Sequence, residues 1–290
     1  MWLIHGVEFP KLGISIESLP EAFHLFGGFE IALYGILFGA AILIGFWVTQ
    51  WQAVRTGQDK EIYLDFALYA VMIALLGARI YYVIFSWEEF AADPMKILRV
   101  QTDGLGFYGG LLAAILTAMI YARVKKLSFG QLVDTGCMGL LAGQIIGRWG
   151  DLFARQALGG YTNNMFAMRV HILDVDISFL TEEMVLNAQQ GGYLDYVQMH
   201  PVFLYEILWN LALFWCLIAY TRHKKFQGEL FTIYLVVYAM GRFWMEGLRT
   251  DVLYLWGTSM PVAQLLAVIS MTAGITGWIG VRIRSGRYKI

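Results

Sequence analysis

Two arginine–carboxylate pairs stand in stretches too apolar to be soluble surface. Arg148 and Asp151 lie three residues apart in LLAGQIIGRWGDLFARQALGG, 140–160. Arg242 and Glu246 lie four apart in YAMGRFWMEGLRTD, 238–251, and Arg249 continues that spacing to a third position. On a helix, residues three or four apart share a face. Ionisable groups at membrane depth are costly, and they usually face a cavity, a partner or a pathway. A guanidinium clamps phosphate through parallel N–H donors. A carboxylate beside it orients the clamp or accepts a proton. The chemistry on offer is therefore recognition of a phosphate in a water-poor place. A plain structural ion pair is the alternative for each couple.

Other polar residues are candidates for the same place. Tyr108 sits in TDGLGFYGG, 102–110, whose four glycines either turn backbone N–H groups toward an anion at a helix start or let helices pack closely. Arg79 lies inside an apolar run and reads equally as a structural ion pair or a capped helix break. His200 precedes Pro201 where a helix cap would stand, and Glu206 lies deeper in the same segment, facing protein.

The elements that position these groups follow from composition. The chain has 290 residues, of which 58% are hydrophobic and only 15% charged. Soluble domains carry about 25% charged residues, so this chain is embedded in a membrane. A net charge of −1 excludes nucleic acid as a partner. Cys137 and Cys216 are far apart and have no metal-ligand spacing, so neither a metal nor a disulfide is expected. Residues 1–28 lack a signal-peptide pattern and read as an interfacial arm.

Seven apolar segments are expected to cross, at 29–51, 63–86, 105–123, 131–154, 201–221, 228–248 and 262–281. Each is near the roughly 20 residues that a bilayer core demands. Basic residues cluster in alternate connections, at Arg55 and Lys60, at Arg123 to Lys126, at Arg222 to Lys225, and from Arg282 to Lys289. That bias places the N-terminus outside and the C-terminus in the cytoplasm. The expected fold is thus an all-α polytopic membrane domain over 29–290, with residues 161–200 inserted as a small extracytoplasmic head. In that head 166–172 alternates like a strand, and 181–189 reads as a helix ended by Gly191 and Gly192. Both arginine pairs then fall near the outer ends of their spans, at one level with Tyr108 and Tyr34. No internal repeat is visible, which disfavours a transporter built from two related halves.

On these residues the chain resembles the bacterial prolipoprotein diacylglyceryl transferases. GRWGDLFARQALGG (147–160) looks like the family's signature, and YGGLL (108–112), HPVFLYE (200–206), GARIYYVIF (77–85) and 228–251 are similar to its other motifs. The resemblance implies transfer of a diacylglyceryl group from phosphatidylglycerol to the lipobox cysteine of a prolipoprotein. Glycerol 1-phosphate is released at the outer side of the bacterial cytoplasmic membrane, and no cofactor is needed. It assigns Arg148, Arg242, Glu246, Tyr34, Tyr238 and Gly159 to the site. Our catalytic candidates are Tyr108, Asp151, Arg242 and Glu246. The lipid-binding candidates are Tyr34, Arg148, Gln156, Gly159, Tyr238 and Arg249.

The sequence departs from the family pattern in four places. Asp151 and Ala154 stand where the signature has Asn, Gln156 stands where it has Glu, and Tyr108 stands where many members have His. Either the amide and the acid have exchanged positions, or Asp151 adds an anion that weakens donor binding. In the second case the chain is a paralogue with another lipid or acceptor, or one without catalysis. The base that takes the thiol proton is open among Tyr108, Glu246 and Asp151, with His200 a weaker choice.

Overall fold

The computed structural model describes residues 6–20, 22–24, 30–91, 93–97, 104, 106–193, 195–255 and 257–287. Thr102 and Asp103 of the glycine-rich motif, and parts of the N-terminal arm, lie outside these. In chain order the elements are β1 (Val7–Phe9), β2 (Ile14–Ile16), β3 (Ala22–His24), β4 (Glu30–Ala32), α1 (Leu33–Arg55), α2 (Lys60–Phe85), α3 (Trp87–Ala91), α4 (Phe107–Val124), α5 (Phe129–Phe153), β5 (Met168–His171), α6 (Glu182–Gly191), β6 (Tyr196–Met199), α7 (Val202–Tyr220), α8 (Glu229–Glu246) and α9 (Val262–Arg287).

The protein is mostly helical and membrane-embedded. Among the described residues, five helical stretches are long and apolar enough to cross a bilayer: Leu33–Arg55, Lys60–Phe85, Phe107–Val124, Val202–His223 and Val262–Val281. The two long helices outside that set, α5 and α8, are the ones that carry Arg148 with Asp151 and Arg242 with Glu246. Their charges lower the hydropathy that a span is recognised by.

The chain forms two compact units, one from the described residues of 1–45, 140–223 and 232–290, the other from 46–139 and 224–231. In the first unit the expectation of an all-α fold needs correcting. A four-stranded antiparallel sheet runs β2-β1-β5-β6, pairing Val7 with Val170 and Met168 with Met199. The alternation at 166–172 does become a strand, and Gly192, with φ 72°, caps α6 as a left-handed residue. The N-terminal segment does more than lie at an interface, because β1 and β2 complete this sheet. Val7, Phe9, Met168, Val170, Met184, Val197 and Met199 interdigitate beneath it with Leu152, Leu158 and Phe203. The head is thereby fused to the ends of α5 and α7.

In the second unit α2 and α4 pack through glycine. A Cβ at Gly77 would lie 2.8 Å from the Gly109 carbonyl oxygen, and one at Gly110 3.2 Å from that of Ala74. Gly109 and Gly110 of the 102–110 motif thus serve close helix packing, while Gly104, with φ 112°, sits against Arg79. Arg79, on α2, reaches the connection before α4. Its guanidinium donates to the carbonyls of Ile97, Gly104 and Lys96 at 3.1, 2.9 and 2.8 Å and lies over the Phe90 ring. It ties down the connection before α4.

Candidate active site

The site is built where α5, α7 and α8 of the first unit meet. Arg148 on α5 donates to Asp151 at 2.8 Å and pairs with Glu206 of α7 at 2.5 Å. The other oxygen of Glu206 takes Arg242 of α8, also at 2.5 Å, and Arg242 reaches Glu246 at 3.0 Å. The result is an unbroken chain, Asp151–Arg148–Glu206–Arg242–Glu246. Its carboxylates are nearly dry, with Glu206 and Glu246 each 4% exposed and Asp151 7%. Buried ions survive only when partnered this fully. Two guanidinium groups face three carboxylates, so the fully ionised chain carries one surplus negative charge.

Glu206 is the member of this ionic chain that spacing arguments missed. It is the only charged residue of α7, 202–220, and Pro201 sets the start of its helix, so a lone acid in its second turn was the available signal. Only the fold reveals that one carboxylate bridges both arginines. Tyr238, one turn before Arg242, lines the same small cavity with Glu206, Trp209, Asn210 and Met245. Tyr34, in the first turn of α1, packs against α5 where Gly150 makes room for it: a Cβ there would sit 2.9 Å from its ring.

The single stripe expected for Arg242, Glu246 and Arg249 is broken. Helix α8 ends at Glu246, so Arg249 leaves the face and forks onto Asp251 at 2.8 and 2.6 Å. Although burial works against its charge, the Asp251 carboxylate holds that guanidinium above its ordinary pKa. Gln156 is exposed, and among the described residues its hydrogen bond is from the backbone N–H to the Asp151 carbonyl. Its amide is not part of the ionic chain. Arg155 turns away to the head, meeting Asp174 at 3.0 Å and the Leu19 carbonyl. Tyr108 belongs to the other unit, where it opens α4 half-exposed against Tyr81 and Phe107.

His200 does not cap α7. Pro201 holds that position, and the His200 ring shares a 3.1 Å hydrogen bond with the Tyr205 hydroxyl, which accepts from Asn164 at 2.8 Å. Burial pushes the imidazole below its ordinary pKa, so it is neutral at pH 7.

A backbone knot holds the three helix ends together. Gly159 bridges Arg249, Leu158 bridges Pro201, and the Gly159 and Gly160 N–H groups donate to the His200 and Leu248 carbonyls at 2.9 Å each. Arg155 and Ala157 enter it with φ of 49° and 53°, a conformation that L-residues adopt only when the surroundings impose it. A Cβ at Gly159 would lie 2.6 Å from the Leu248 oxygen and 2.8 Å from the His200 Cβ. Gly159→Ala should therefore cost about 1–3 kcal/mol of stability, read as a lower thermal midpoint together with lost activity.

Arginines and buried acids paired across facing helices, together with the long apolar helices, mark a multi-pass membrane protein with an ionic network at its helix ends. Comparison with known proteins places it further. The family model described as prolipoprotein diacylglyceryl transferase matches residues 20–280. The phosphatidylglycerol–prolipoprotein diacylglyceryl transferase of Geobacillus kaustophilus is 38% identical over 91% of this chain and 93% of its own. That of Bacillus cytotoxicus is 38% identical over 94% and 96%, and that of Bacillus cereus strain Q1 37% over 88% and 89%. The chain belongs to the prolipoprotein diacylglyceryl transferase family and is a transferase of lipoprotein biosynthesis.

Proposed function

We propose that the donor is phosphatidylglycerol, the acceptor is the lipobox cysteine of a prolipoprotein, and the reaction takes place over the Arg148–Glu206–Arg242 bridge. The observation that carries this is the convergence of two guanidinium groups from separate helices on one carboxylate. A phosphate that displaces Glu206 meets both of them ready-oriented, with little reorganisation left to make. The acceptor thiolate attacks the diacylglyceryl carbon that carries the phosphate oxygen. A carbon–sulfur bond forms, the carbon–oxygen bond breaks, and glycerol 1-phosphate leaves with its charge held by the arginines. The thiol must first lose its proton. Glu246 and Asp151, at the two ends of the ionic chain, are the acids placed to take it. Tyr34 and Tyr238 are kept as walls of the lipid site, and Gly159 as the knot that sets the helix ends. Arg249, fixed on Asp251, and Gln156 are kept as lipid contacts at the chamber's edge.

In this reading α5 and α8 cross the membrane with the five apolar helices. That makes seven spans over 29–290, with β1 and β2 joining the head inserted at 161–200. The basic connections put the N-terminus and the site on the extracytoplasmic side of the cytoplasmic membrane. The direct test incubates the purified protein with phosphatidylglycerol and a lipobox peptide. Thioether-linked peptide and an equal amount of glycerol 1-phosphate are expected. Lipid binding without either product would instead support a binding paralogue.

Asp151 favours keeping that second reading in view, since it makes acids outnumber arginines. The exchange of acid and amide between positions 151 and 156 finds little support, because one is inside the ionic chain and the other exposed. Asp151→Asn is therefore expected to lower KM for phosphatidylglycerol by about three- to tenfold, while Gln156→Glu changes little. A kcat collapse in Asp151→Asn would make Asp151 the base.

A further inference from the structure

A second polar layer lies one helical turn beneath the ionic chain. Four residues from Arg148 along α5 is Gln144, and four from Glu206 along α7 is Asn210; on α8 Tyr238 lies four from Arg242, and Tyr234 four further on. Gln144 donates to the Tyr234 hydroxyl at 2.9 Å, and the Tyr234 ring stacks on Tyr238. The Gln144 amide oxygen is left without a hydrogen-bond partner, and Asn210 is the residue of this layer with an unmade donor. It is 2% exposed, its amide nitrogen has no hydrogen-bond partner, and it lines the cavity shared by Glu206, Tyr238 and Arg242. A buried amide donor left unmade is expensive, and in an apolar helix such a residue is costly to keep without an acceptor.

We propose that the Asn210 amide donates to an ester carbonyl of the donor lipid, making it a positioning residue that registers the glycerol backbone beneath the phosphate. This rests on the phosphatidylglycerol reading above. Four residues of α-helix rise about 6 Å, so Asn210 lies one short step deeper than the carboxylate that holds the arginines. In a diacyl phospholipid the ester carbonyls lie just such a step inward from the phosphate, across the glycerol carbons. The carbonyl is an acceptor only, which suits a side chain offering a donor. With the phosphate on Arg148 and Arg242 and a carbonyl on Asn210, the lipid is held at two points on either side of the carbon under attack.

The test compares phosphatidylglycerol with its diether analogue, which keeps the headgroup and chains but lacks both carbonyls. The full-length protein, a lipobox peptide and each lipid are assayed for kcat/KM, in the wild type and in Asn210→Leu and Asn210→Ala. The wild type should prefer the diester by about three- to tenfold, the worth of a neutral hydrogen bond. Both variants should lose that preference by slowing on the diester alone, with the diether rate unchanged. A structural role would slow both lipids alike. The proposal is overturned if the wild type shows no preference, or if the preference persists in the variants. Should both variants unfold, the wild-type ratio alone decides. No transfer from either lipid by the wild type defeats the phosphatidylglycerol reading, and this inference with it.

Discussion

Arg148→Lys and Arg242→Lys should each lower kcat/KM for phosphatidylglycerol by about 10²–10³, although neither changes the net charge. The reason is geometric. Each arginine meets two carboxylates at once: Arg148 holds Asp151 and Glu206, and Arg242 holds Glu206 and Glu246. A planar fork can keep one acid and pass the other set of donors to a phosphate, whereas an ammonium is a single point on a flexible stem. The loss should fall mainly on kcat, because charge develops on the leaving phosphate as the carbon–oxygen bond breaks. A lysine variant with wild-type kcat would mean that its arginine supplies charge alone.

Glu206→Gln should give a different signature. Removing one partner of a buried pair costs about 3–5 kcal/mol, and here the lost charge serves two partners. A lowered thermal midpoint is expected, with kcat reduced by about 10² because the guanidinium groups are no longer held in register. Binding should not weaken in step. With the bridge neutral, two arginines face two remaining acids, so added phosphatidylglycerol replaces the missing anion and raises the variant's midpoint more than the wild type's. Equal lipid stabilisation of both proteins would show that the phosphate binds elsewhere.

Much of the site could be read from spacing, for a definite reason. Arg148 with Asp151 and Arg242 with Glu246 are near neighbours on single helices, and periodicity reports such contacts directly. Glu206 was placed in an apolar segment and judged to face protein, but its two partners come from other helices, which no local pattern encodes. Arg249 was lost from the stripe because α8 stops at Glu246. Gly247, directly after that residue, was the stop signal on offer. The head behaved similarly. Its strand at 168–171 alternates visibly, but its neighbour in the sheet is Val7–Phe9, some 160 residues earlier in the chain. The 102–110 glycines were open to two readings, and the packing of α2 on Gly109 and Gly110 resolves those two toward helix contact. The same charges that mark α5 and α8 as interesting are what remove them from the set of plainly apolar spans.

The most direct measurement is a structure of the protein with phosphatidylglycerol bound. Its phosphate should lie within hydrogen-bonding distance of the Arg148 and Arg242 guanidinium groups together, with Glu206 displaced from at least one of them. A phosphate seated away from both, or on either arginine alone with the Glu206 bridge intact, would contradict a shared clamp.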